Sequence, residues 1–205
     1  RKHLMLRWGV VALLVMVSIA WAYQILTTER QQAPSLPVYG EKADDSTDHR
    51  IASWKFIDQN GAPISQSDLD GKIYVADFFF TTCNGICPKM SNQMERVAER
   101  FKGTEQIHFL SHTVKPSEDS VPVLKKYAEF HNADSKIWHF VTGEKKDIYE
   151  MARTSYLSAV SEGDGGPDDF VHTQFFTLID TERRIRGFYD GTKKEEIQRL
   201  IADIN

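Results

Sequence analysis

The sequence reads as an α/β domain built on a mixed sheet. One sign is the apolar run IYVADFFF within Lys72–Phe80, nearly unbroken and too short for a typical helix, as in a strand buried on both faces. A second is the alternation of strand-like and helix-like segments that follows it. A third is a closing pair, Gln174–Ile179 and Arg184–Tyr189, joined so tightly by Asp180-Thr181-Glu182-Arg183 that its strands must be antiparallel.

The elements follow in order. Ile51–Ile64 reads as two short strands around Asp58-Gln59-Asn60-Gly61, because Asn-Gly supplies the positive φ angles of a hairpin turn. After the apolar strand, Pro88 suits the start of a helix, and Met90, Met94, Val97, Ala98 and Phe101 fall along one helical face before Gly103 ends it. Ile107–Thr113 is a strand, Glu118–His131 a helix with Pro122 in its first turn, Trp138–Thr142 a strand and Lys145–Leu157 a helix. The loop SEGDGGPDDF precedes the closing strand pair, and Thr192 with Glu195 forms a capping-box pattern that opens the terminal helix. Residues 51–205, about 155 of the 205, suffice for one domain with a real core.

The N-terminal region differs in kind. No charge occurs from Trp8 to Thr28, and the core WGVVALLVMVSIAWAYQIL is close to the roughly 20 residues that span a bilayer. Arg1, Lys2 and Arg7 precede it, so residues 1–28 read as one transmembrane helix of the inner, cytoplasmic membrane with the domain on the periplasmic or extracytoplasmic side. Ala20-Trp21-Ala22 keeps open a cleaved export signal instead. Residues 29–50, polar with two prolines, have the composition of a flexible tether. Beyond residue 30 the chain carries 21 Lys and Arg against 28 Asp and Glu, which argues against a nucleic-acid partner.

Chemistry concentrates at Cys83-Asn84-Gly85-Ile86-Cys87, which holds the only two cysteines, at a strand-to-helix turn where such sheets place ligands. Four helical residues rise about 6 Å, so the thiols can close a disulfide or converge on one soft metal ion. A purely structural disulfide is the bland reading, but so short a loop gains only about 2 kcal/mol. With Pro88 first in the helix, Cys87 takes the N-cap, where free N–H groups favour its thiolate. Two thiolates and an imidazole suit copper in either oxidation state. Of seven histidines, His3, His49, His108, His131 and His139 have ordinary explanations, and His112 lies near a strand end with an outer role open to it. His172 stands apart, between the acidic glycine-rich loop and the strand QFFTLI at the mouth of the sheet. Asp77, a carboxylate in an apolar strand, is either support for the site or an ordinary satisfied polar residue, whereas Met90 and Met94 read as core.

The stretches VADFFFTTCNGICPKMSNQM, LSHTVKPSEDSVPVLKKYAEF, WHFVTG and DDFVHTQFFTLID together resemble the Sco/SenC family of membrane-anchored copper proteins, from about Ile51 to Ile201. The resemblance implies a thioredoxin-like fold and a copper site, for Cu(I), Cu(II) or both, made by Cys83, Cys87 and His172. It also implies a metallochaperone that matures the binuclear copper centre of cytochrome c oxidase subunit II, by handing over copper or by reducing the acceptor's cysteines. Other copper chaperones or thiol reductases are the further partners. Asn84 stands where a proline often follows the first cysteine, and Lys115 where many members carry an aspartate; neither is a proposed ligand. The rival class is an exported thiol-disulfide oxidoreductase or redox sensor. Against it, thioredoxin-like reductants carry Cys-x-x-Cys facing a proline, where this chain has three intervening residues and Val171-His172-Thr173. A peroxiredoxin-like site wants a threonine three residues before the reactive cysteine, where Phe80 stands.

Overall fold

A computed structural model describes residues 7–8, 13–24, 36–40, 48–158, 166 and 169–205. The chain forms two compact units, Arg1–Ser35 and Leu36–Asn205. In the first, residues 13–24 are helical. Among the described residues no helix is long and apolar enough to cross a membrane. The spanning helix expected over residues 1–28 therefore does not emerge within them, and its parts at 1–6, 9–12 and 25–28 lie outside the described residues.

The second unit carries strands β1 (Lys55–Asp58), β2 (Pro63–Ser65), β3 (Ile73–Phe79), β4 (Ile107–Thr113), β5 (Trp138–Thr142), β6 (Phe175–Ile179) and β7 (Ile185–Asp190). Its helices are α1 (Cys87–Arg100), α2 (Val121–Phe130), α3 (Lys145–Glu150) and α4 (Lys194–Ile204). The strands form one mixed sheet in the order β2-β1-β5-β4-β3-β6-β7. Neighbours β3, β4 and β5 run parallel and the outer pairings antiparallel, a mixed sheet with the two hairpins β1–β2 and β6–β7 that the sequence pattern predicts. The parallel centre explains why β3 reads as a continuous apolar run: both of its faces are covered.

On one face Val75 and Phe79 of β3 meet Met90, Met94 and Val97 of α1, Leu124 of α2 and Leu200 of α4. Met90 and Met94 are at most 1% exposed, so they belong to this core, each worth about 1.5–3 kcal/mol of burial. On the other face Tyr74 and Phe78 pack with Trp54, Leu110, Ile148, Tyr149 and Tyr156.

Several local expectations change. In the β1–β2 turn only Gly61 has a left-handed φ, at 77°; the turn is held instead by Asp58, whose Oδ1 accepts the N–H groups of Asn60 and Ala62. Helix α1 begins at Cys87, with Ile86 at the cap, because Ile86 is already in the right-handed helical region and its carbonyl accepts the Met90 N–H. The expected continuous helix Lys145–Leu157 is α-helical only to Glu150 and continues as a π-helical turn, Met151–Ser155. The capping box of α4 does not form: the Thr192 hydroxyl donates to Asp190 at 2.6 Å, so Lys193 takes the cap position without a side-chain bond. Part of the segment read as tether lies on the domain. Tyr39 bridges to Ile185 beside β7, Arg186 donates to the Pro37 carbonyl at 3.0 Å, and Gly40 passes so close to His49 that an added Cβ would sit 2.5 Å from it.

Candidate metal centre

The two thiols stand where β3 gives way to α1, at the C-terminal end of the parallel strands. The segment leading from β3 into Cys83 is fixed by Asp119, a fully buried carboxylate that accepts hydrogen bonds from the Thr81 N–H and from the hydroxyls of Thr81 and Thr113. Around it, Thr82 donates to Glu118 at 3.2 Å and the Lys115 ammonium lies 4.7 Å from the centre of the Phe80 ring. Cys83 is half-buried, Cys87 is buried and both thiols are free.

The sequence predicts that the Cys87 thiol ionises more readily than a free one, and the structure places it in surroundings that do the opposite. Burial pushes Cys87 up to about 12, and its hydrogen bond to Cys83 adds to the effect. At Cys83 burial opposes ionisation, but the Cys87 thiol and the N–H groups of Cys87, Gly85 and Ile86 outweigh it and lower its pKa. The physical reason is direction: the N–H groups at the start of α1 face Cys83, while the Cys87 side chain turns into the core beside Phe79 and Met90.

Cys83, Cys87 and His172 line a single cavity of about 290 Å³, with walls that include Ile86, Val114 and Phe170. His172 is exposed, and its ring lies 5.9 Å from that of Phe170 at 19°. The sequence-predicted ligands therefore share a cavity but do not converge: among the described residues no three His, Cys, Asp or Glu side chains are grouped closely enough to hold a metal ion. The donor set itself, two thiols and an imidazole against apolar walls, fits copper.

Asp77 lies on the Cys87 side of β3, 2% exposed, with Oδ1 unpartnered. Burial pushes its carboxyl up to about 7, only partly opposed by the Ser111 hydroxyl. Its field in turn raises Cys87, which gives it an electrostatic route to the thiols although it does not line the cavity. His112 faces the other core: fully buried, stacked 4.8 Å from Phe78, its pKa pushed down to about 4 by burial. His108 and His139 stack on each other at 5.9 Å at the opposite end of the sheet, His131 pairs with Glu95, and His49 bonds the Ser155 carbonyl. His3 lies outside the described residues. Sequence reasoning missed Asp119 and the anchoring of the His172 segment by Lys145 and Arg153. Apart from Thr113, six residues before Asp119, their partners are 16 to 38 residues away, so no local pattern marks them.

Fold and site together define a thioredoxin-like domain that presents a thiol pair and an imidazole to one apolar cavity. The SCO1/SenC family model matches residues 42–205, and the chain belongs to that family. It is 28% identical over 167 residues to the SCO1 protein homolog of Bacillus subtilis, covering 80% of this chain and 86% of that protein. BsSco, described as a Sco-family cytochrome c oxidase assembly protein with a disulfide switch, superposes with a TM-score of 0.63 at 26% identity, over 80% of this chain and 98% of that one. Yeast Sco1 with copper bound shares the fold, with a TM-score of 0.59 at 20% identity over 76% of this chain and 88% of that one.

Proposed function

We propose that this protein is a copper metallochaperone of cytochrome c oxidase assembly, with Cys83, Cys87 and His172 as ligands. The observation that carries the reading is the shared cavity: soft thiol donors and an imidazole line one apolar opening at the ends of the parallel strands. In this reading the acceptor is the binuclear copper centre of oxidase subunit II, and residues 1–28 anchor the domain on the outer side of the inner membrane.

Each protein group has a distinct task. Cys83 ionises first and offers the initial ligand; Cys87 gives up its proton as the metal is bound, since thiolates are the binding species. His172, on the exposed rim, supplies the third donor that copper(II) requires and two thiolates alone do not. Copper is the cargo, released when the acceptor's own donors displace these three.

The unequal thiols also favour a second activity, reduction of the acceptor's cysteines. The Cys83 thiolate attacks an acceptor disulfide sulfur and expels the other acceptor sulfur as thiolate. Cys87, deprotonated, then attacks Cys83 in the mixed disulfide, releasing the second acceptor thiol and forming the Cys83–Cys87 disulfide. Two electrons pass to the acceptor, and a thiol reductase partner restores the pair.

Replacing His172 by alanine tests the ligand assignment. Copper(II) affinity should fall by more than about 100-fold, beyond what losing a mere supporting residue costs, while copper(I) binding persists on the two thiols. Unchanged copper(II) affinity and spectrum would remove His172 from the site.

A further inference from the structure

His172 sits outside regular structure, since β6 begins only at Phe175. On its C-terminal side the chain is fixed: the Phe175 N–H donates to the Thr173 hydroxyl at 3.2 Å, and the Gln174 carbonyl accepts the Gly191 N–H at 2.8 Å. On its N-terminal side the anchor is Asp169. Both carboxylate oxygens of Asp169 are gripped by Arg153, Nη1 to Oδ2 at 2.8 Å and Nη2 to Oδ1 at 2.6 Å, with side chains only 13% and 7% exposed. Lys145 adds Nζ bonds to the carbonyls of Gly166 and Asp169, at 2.6 and 2.7 Å.

Arg153 belongs to the π-helical turn Met151–Ser155, the one departure from α-geometry in that helical run. Such turns are frequent at functional sites. Behind the ion pair, Tyr149 lies 4.9 Å from the Lys145 ammonium and 5.6 Å from the Arg153 guanidinium, and its hydroxyl donates to the carbonyl of Val114, a cavity-lining residue. Directly after Asp169, the Phe170 ring packs on Phe80 at 5.6 Å and on His172. An unbroken path of contacts thus runs from the π-turn to the imidazole.

An exposed ion pair of this kind would hold little, but a buried bidentate one is costly to break, because the remaining charge is left uncompensated. We propose that the Arg153–Asp169 pair, seconded by Lys145, is a clasp that holds His172 at the rim of the cavity lined by the thiols and so sets the preference for copper(II) over copper(I). The clasp rests on the reading of His172 as a ligand, and these residues are positioning residues that do not touch the metal themselves.

The test is titration of the full chain, reduced, with copper(II) and separately with copper(I), for Asp169→Asn, Arg153→Gln, the double variant and His172→Ala. Each single clasp variant should weaken copper(II) by about 10-fold and alter the nitrogen signature in its electron paramagnetic resonance spectrum, with copper(I) affinity within about twofold of the parent. The double variant should lose no more than the worse single, because the two side chains act as one unit. Arg153→Lys, which keeps the charge but not the two-point grip, should fall between and serves if a larger change prevents folding. Parent-like copper(II) affinity and spectrum in the clasp variants, beside a loss in His172→Ala, would overturn the clasp alone. No loss in His172→Ala would overturn the ligand assignment and the clasp with it. Parallel loss of copper(I) and copper(II) affinity in Arg153→Lys would also overturn the clasp, since it would mark general damage.

Discussion

Serine in place of either Cys83 or Cys87 is expected to abolish tight copper(I) binding, with affinity reduced roughly a thousandfold or more, on the order of 4 kcal/mol. Copper(I) is soft and is satisfied by two thiolates, whereas a serine hydroxyl is a hard, neutral donor that cannot replace one. The two variants should differ in reactivity. With Cys87 replaced, the half-buried Cys83 retains the N–H groups of Gly85 and Ile86 and stays open to alkylation near neutral pH. With Cys83 replaced, the remaining thiol is the buried one that burial pushes up to about 12, and alkylation should be slow. Competition with a chelator and timed alkylation, read by mass, measure both effects. In the parent protein, affinity should decline as pH falls, since each thiol must shed its proton to bind.

Replacing Asp77 by asparagine should stabilise the copper-free protein, and only on the alkaline side. Burial raises this carboxyl in the folded state from the ordinary 3.8 to about 7, so between those pH values the folded protein holds a proton that the unfolded chain has released. Stability attached to that proton is complete below pH about 4, declines as pH rises, and is lost above about 7. The gap converts to roughly 4 kcal/mol at alkaline pH as an upper figure, all of it absent from the asparagine variant. Chemical unfolding of both proteins at pH about 4 and about 8 should show equal stability in acid and a more stable variant in base. A variant less stable at pH 8 would mean that the ionised carboxylate is well satisfied in the fold. The same substitution removes a negative field from Cys87 and should make that thiol easier to ionise.

What the sequence made readable follows from what is local. The β3 run, the face of α1 marked by Met90, Met94 and Val97, and the tight β6–β7 connection are each set by short-range periodicity and turn chemistry, and each is found. The placement of Cys83 and Cys87 at the strand end, with His172 on the same cavity, follows from the same elements and from the family resemblance. Features decided by tertiary contact were not legible. The acidity of Cys87 is inverted because its direction into the core, not its place in the helix, sets its environment. Thr192 fits a capping box by spacing but is claimed by Asp190, and the helix after Lys145 widens into a π-turn whose Arg153 answers a carboxylate 16 residues on. The polar composition of residues 29–50 conceals Tyr39, which finds a strand partner in Ile185 far along the chain.

The central claim is that the Cys83 and Cys87 thiols hold the copper. Its most direct measurement is anaerobic titration of the protein with copper(I), once fully reduced and once converted to the intramolecular disulfide, with the redox state verified by mass. The reduced protein should form a tight complex of one copper per chain, and the oxidised protein should bind none until a mild reductant reopens the pair. Full copper(I) affinity retained by the verified disulfide would contradict the account, because the ligands would then lie elsewhere.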